Sequence, residues 1–162
     1  MTLQIRRVVT GHDQNGRAIV SIDELCKNVI SRRPSHSSCV VWSTGEFPTD
    51  NGGDADGGGD GGARPVATVD PNGTVFRLVE YGPGVAPRNH RTESIDYAVV
   101  ISGEIDMDLD GTVVHLKAGD VLVQRGTIHN WVNRGTVPCV VAFVLVAAKP
   151  VERAGKSLTA TN

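Results

Sequence analysis

The chain has 162 residues, 40% of them hydrophobic and 21% charged, with a formal net charge of −2 when histidine is neutral. That length and composition suit one folded domain with a single core. The balanced charge, with no block of Lys or Arg, argues against nucleic acid as a partner.

The amino terminus, MTLQIRR, lacks the apolar centre of a secretion signal, so a cytoplasmic location is expected. Residues 1–47 carry short β-like pieces (QIRRVVT, RAIVSI, CVVWST) around polar turns such as DQNG. Within them, residues 23–32 (DELCKNVISR) fit one short helix or a looping segment, and Val29 and Ile30 fit a strand equally well. The stretch is too short and polar to hold a core alone and reads as an arm packing on the remainder of the chain. Residues 48–64 (PTDNGGDADGGGDGGAR) are nearly all Gly, Asp and Ala. Such a segment cannot offset its ordering entropy by burial, and a mobile loop is expected there.

From residue 65 to 148 the sequence alternates strand and turn: VATV, DPNG, TVFRLVEY, GPG, IDYAVVISG, EIDMDLD, GTVVHL, KAGD, VLVQRG, HNWVN, RGTVP, CVVAFVLVAA. Short strands at regular spacing predict an all-β sandwich or barrel. In EIDMDLD, Ile105, Met107 and Leu109 share one face and acidic residues the other. Asp110-Gly111 is a two-residue hairpin signal. The apolar run Cys139–Ala148 is far shorter than the ~20 residues of a membrane-crossing helix and reads as a buried strand, so no membrane partner is expected. The three cysteines, Cys26, Cys39 and Cys139, include no CxxC pair and suggest no disulfide framework. The polar tail, residues 149–162, is expected to fray.

Two stretches carry side chains suited to chemistry. Gly84 is followed by five residues and then His90; Thr92, Asp96 and Gly103 come after it at spacings of two, four and seven. Further on come Gly119, Gln124, Gly126, His129 and Asn133. This order resembles the two motifs of the cupin superfamily, G-x5-H-x-H-x3-E-x6-G and G-x5-P-x-G-x2-H-x3-N. Thr92 stands where the second His would be, Asp96 where Glu would be and Gln124 where Pro would be, with one residue fewer after Gly119. The resemblance covers about residues 73–146 and extends to small single-domain cupins reading H-R-T-x-[ST]-x-D-Y and Q-R-G-T-x-H-x-W.

The resemblance implies a jelly-roll barrel (double-stranded β-helix) of two antiparallel sheets, in which His129 looks into the mouth toward His90 and Asp96. Cupins commonly hold a divalent metal there. Two His and one carboxylate would suit Fe(II), and Mn, Ni or Zn could also bind, with His90, Asp96 and His129 as ligands. The reactions implied are dioxygenase- or decarboxylase-like, on a small, oxygenated, anionic organic molecule. Two alternatives stay open: a metal-independent lyase, isomerase or cyclase with a histidine base oriented by Asp96, and a non-catalytic ligand-binding module. Arg88 and Arg91 could bind a substrate carboxylate or phosphate; Thr92 and Trp131 could line the pocket. Tyr97 alternates with Asp96 and should point outward, while Arg125 and Thr127 read as turn residues. His12 is expected in a turn, His36 exposed, and His115 on a strand facing solvent or a subunit partner. The family tendency implies a homodimer.

Overall fold

The computed structural model describes residues 3–52 and 67–161, and among these every regular element is a β-strand. β1 (Arg6–His12) and β2 (Ala18–Leu25) form a hairpin. Asp13 closes its turn, with Oδ1 accepting from the backbone N–H groups of Asn15 and Arg17. β3 (Ile30–Arg33) and β4 (His36–Thr44) form a second hairpin. The helix admitted over residues 23–32 is absent, because β2 runs on to Leu25 and β3 starts at Ile30. The β-branched pair Val29-Ile30 favours the extended chain, and Val29 packs into a hydrophobic cluster there.

The strands β5 (Thr74–Tyr81), β6 (Ser94–Ser102), β7 (Glu104–Asp108), β8 (Val113–Lys117), β9 (Val121–Arg125), β10 (Asn130–Val132) and β11 (Cys139–Ala147) come next. They build two antiparallel sheets: one of six strands in the order β3-β4-β5-β11-β6-β9, the other β10-β7-β8. The apolar run is β11, between β5 and β6. Asp110 and Gly111 lie in the β7–β8 turn, with Gly111 at φ 78°. Gly103 turns β6 into β7 at φ 75°, and a Cβ there would sit 2.6 Å from the Pro138 carbonyl oxygen, so glycine is required.

The expected VATV strand does not form: residues 67–69 lie in an irregular segment, and Val66 is outside the described residues. The Ala67 and Thr68 carbonyls accept from Arg77 Nη2, at 2.7 and 3.0 Å, instead of joining a ladder. The glycine-rich loop lies largely outside the described residues, from 53 onward. The tail, expected to fray, is folded over β12 (Val151–Arg153) and β13 (Lys156–Leu158), whose turn holds Ala154 and Gly155 at φ 51° and 71°. Beyond it, Ala160 N–H donates to Glu93 Oε1, and Thr161 pairs its backbone with Arg91.

Period-2 alternation places the core. Val75, Val79 and Tyr81 of β5 meet Ala98 and Val100 of β6, Ile105 and Met107 of β7, and Val141, Phe143 and Leu145 of β11. A second cluster lies on the other face of the large sheet, where Leu3 and Ile5 bury Cys39, with Cys26, Val29, Leu78 and Val140 packed around them. The first segment thus does two things: its start covers the outer face, and β3 and β4 extend the sheet itself.

Candidate active site

One cavity opens between the two sheets, about 700 Å³ with its mouth included. His90, Thr92, Asp96, His129, Arg88 and Trp131 all line it. Arg91 does not: its Nε donates to the Gly126 carbonyl at 3.1 Å and its backbone is bridged to Thr161. The expectation that Arg91 contacts substrate is therefore corrected. Alternation explains the split, since His90 and Thr92 face inward and Arg91 between them faces away.

His90 and His129 form an isolated antiparallel bridge, each backbone N–H donating to the other's carbonyl at 2.9 Å. Their rings stand 4.3 Å apart, centroid to centroid. His90 Nδ1 lies 3.0 Å from the Arg88 carbonyl and His129 Nδ1 3.0 Å from the Thr127 carbonyl. A carbonyl oxygen only accepts, so both Nδ1 atoms carry the proton and both Nε2 atoms keep a lone pair. Gln124 Nε2 also sits 2.9 Å from His129 Nδ1, while Gln124 Oε1 is buried without a partner. Burial and its neighbour His129 hold His90 down to about 4, and burial lowers His129 as well, so both rings are neutral near pH 7.

Thr92, Ser94 and Asp96 occupy alternate inward positions leading into β6, and all three are buried. Ser94 Oγ lies 2.5 Å from Asp96 Oδ1 and 2.9 Å from Thr92 Oγ1. Ser94 donates to the carboxylate, and its contact with Thr92 Oγ1 draws both hydroxyls into the surroundings of Asp96. Burial raises the Asp96 carboxyl to about 6, against the lowering effects of Ser94, the Arg77 cation and Thr92. The two departures from the cupin motif, Thr92 and Asp96, are thus parts of one hydrogen-bonded chain.

Among the described residues no group of three or more His, Cys, Asp or Glu side chains is placed to hold a metal ion. Two imidazole lone pairs share the cavity with the Asp96 carboxyl group, whose Oδ1 is engaged by Ser94 Oγ.

Several lining residues escaped the reading of the sequence. Arg32, Arg33 and His36 come from β3 and β4, and Arg77 and Tyr81 from β5. His36, expected to be exposed, is half-buried, packed edge-on against Tyr81 at 5.7 Å, and held down to about 4 by burial and Arg33. Strand pairing overrides the turn chemistry of RRPSHSS, because His36 begins β4 opposite Tyr81. The signal for Arg77 was its parity: it shares the inner face of TVFRLVEY with Val75, Val79 and Tyr81. Trp131 closes the floor, 6.2 Å from the His129 ring, 6.1 Å from Tyr81 and 5.5 Å from Phe143. Tyr97 is exposed as expected, and His115 lies on an outer face beside Asp106. Asn133 is structural: buried, it donates to the Tyr81 and Val137 carbonyls and accepts from Gly135 N–H.

The cupin domain family matches residues 77–146. Phomopsin biosynthesis cluster protein D of Diaporthe leptostromiformis is 40% identical over 157 residues, covering 94% of this chain and 83% of that protein. The cupin-domain-containing oxidoreductase fogC of Aspergillus ruber is 33% identical over 161 residues, covering 96% and 78%. Among solved structures, a conserved protein with a double-stranded β-helix domain from Klebsiella pneumoniae is 29% identical, covers 46% of this chain and 68% of its own, and superposes with a TM-score of 0.42. The chain belongs to the cupin superfamily.

Proposed function

We propose that the chain is a cupin enzyme that binds a small, oxygenated, anionic organic molecule and transfers a proton on it without a metal. One observation carries this reading. A single cavity brings together a carboxyl group raised to about 6 and two imidazoles that are neutral and present only lone pairs, beside the cations Arg33, Arg77 and Arg88.

The role of each group is set by its chemistry. The arginines favour an anion in the cavity. His90 and His129 can only accept at Nε2, which suits substrate hydroxyl or enol groups. Asp96 sits close to neutral pH, where a carboxyl group both takes and returns a proton effectively. Ser94 steadies its ionised form, and Trp131, Phe143 and Leu145 keep bulk water from one side of the cavity. The names of the relatives, an oxidoreductase and a protein of a biosynthesis cluster, support small-molecule chemistry here. An enolate formed by proton removal is the shared starting point for isomerisation, elimination and oxidation.

The test is solvent deuterium exchange. Hydroxy, keto and phenolic carboxylic acids are incubated with the protein in D2O and followed by mass spectrometry. Incorporation at carbon is expected with the wild type and reduced about 10²–10⁴-fold in Asp96→Asn. Exchange that persists unchanged in Asp96→Asn would overturn the assignment.

A further inference from the structure

We infer that the two strands before the family-matched barrel complete the site: Arg33 of β3 and His36 of β4, together with Arg77 and Arg88, form a subsite for an oxyanion, a carboxylate or phosphate group of the substrate. The inference rests on the proposed reading of the cavity as an anion-binding site and adds the residues that hold the charged end.

Buried nitrogens without partners point to it. Arg33 Nε and Nη1, His36 Nδ1 and Arg77 Nε are buried and have no hydrogen-bond partner among the described residues. Burying such a group unpaired is unfavourable, and more so when it is charged. Folded proteins rarely leave one, and here four atoms on three residues line one cavity. Their strands are neighbours: Arg33 pairs with His36, His36 with Tyr81, and Val40 with Arg77, all in the sheet order β3-β4-β5. Two carbonyls hold Arg77 Nη2, so the guanidinium is already fixed before any ligand arrives.

Charge gives the second line of support. Arg32, Arg33, Arg77 and Arg88 line the cavity, and Asp96 is the one carboxylate among its described lining residues. The cations act on one another and on the histidines. Arg88 disfavours the charged form of Arg33, and both disfavour protonation of His36 and His90. An oxyanion would relieve that repulsion and give the unpaired guanidinium N–H groups an acceptor at once. Residues 77–146, matched by the family, contain Arg77 and Arg88 but neither Arg33 nor His36. The charged end of the substrate is therefore read in part by the segment that precedes the matched domain.

The experiment is a titration of isotope-labelled protein with inorganic phosphate and, separately, with malonate, against sodium chloride at matched ionic strength, followed by NMR. Saturable shifts at Arg33 and His36 are expected for at least one of the two anions, and the preferred anion identifies the group. Arg33→Gln should weaken that affinity at least tenfold and His36→Gln at least threefold. If Arg33→Gln loses the wild-type circular dichroism spectrum, Arg33→Lys carries the test with an expected loss of about threefold, because it keeps charge but not the planar fork. No saturable binding beyond chloride, or an unchanged affinity in the folded Arg33 variant, overturns the inference. Asp96→Asn separates the two readings: it should bind the anion while losing deuterium exchange. Anion binding that Arg33→Gln weakens would therefore stand even if exchange proved independent of Asp96.

Discussion

His90 and His129 are locked to one another twice over. Their backbones exchange two hydrogen bonds of 2.9 Å, and each ring fastens Nδ1 to the carbonyl two residues before it. The bridge joins the stretch before β6 to the start of β10, so one clasp ties the large sheet to the small one at the cavity. Rings held this way keep one tautomer and one orientation, which prepares the site before substrate enters.

Stability should rise with pH between about 4 and 6. His36 and His90 fall from 6.5 to about 4 on folding and His129 shifts the same way, so in this window the unfolded chain binds more protons at these three sites. Their contribution is present above pH 6.5 and lost as pH falls. Asp96 opposes them: its carboxyl rises from 3.8 to about 6, so the folded state holds a proton there that the unfolded chain has released. Its contribution is lost as pH rises. Urea unfolding at pH 4.5, 5.5 and 6.5 should show a positive slope, steeper in Asp96→Asn by roughly 1 kcal/mol per pH unit. A slope no steeper in that variant would mean that Asp96 is not held protonated.

Asn133→Ala should destabilise the fold by about 2–4 kcal/mol while leaving the lining of the cavity in place. The side chain is 1% exposed and makes three hydrogen bonds, and its loss strands the Tyr81 and Val137 carbonyls and the Gly135 N–H. Thermal and urea unfolding measure the cost. A loss under 1 kcal/mol would show that water replaces the amide.

Metal content by plasma mass spectrometry on untagged protein should be far below one ion per chain. It should stay so after incubation with Fe(II), Mn(II), Ni(II) or Zn(II) and dialysis, because two imidazoles without a third ligand bind weakly. Near-stoichiometric metal, lost together in His129→Ala and Asp96→Ala, would reverse this and return the three residues to the role of ligands.

The outer edge of the large sheet should drive self-association. Among the described residues β9 has a neighbour on one side only, and its Val121 and Val123, 73% and 55% exposed, stand opposite Val99 and Tyr97 on β6. An exposed apolar strip on an open strand edge invites a second copy. Sedimentation velocity should show a dimer, and Val123→Lys should shift it to monomer. A monomeric wild type at micromolar concentration would place the strip outside any stable interface.

The barrel strands and half of the cavity were legible in the sequence because both depend on local pattern. Period-2 alternation marked Ile105 and Met107 as core and Tyr97 as outward. Motif spacing brought His90, Asp96 and His129 to one cavity. The features it did not carry depended on pairing between distant strands. His36 enters the site because β4 adds to β5, and a Pro-Ser turn nearby says nothing of that partner. Arg91 leaves the site because the chain's last described residue pairs with it. The hairpin of β12 and β13 was hidden by its polar composition, since its register rests on the turn at Ala154-Gly155 and not on an apolar face.

The chain from Thr92 through Ser94 to Asp96 has a consequence for how this cavity can change over generations. Two hydrogen bonds through the Ser94 hydroxyl link the three side chains, so the worth of each depends on the others. Thr92→Val should weaken the site while Asp96 is ionised and matter little once Asp96→Asn has removed the charge. Epistasis of that kind ties the two positions into one heritable unit. A lineage that exchanged the usual His and Glu for Thr and Asp would find either reversal alone unfavourable, and the route back closed except through both.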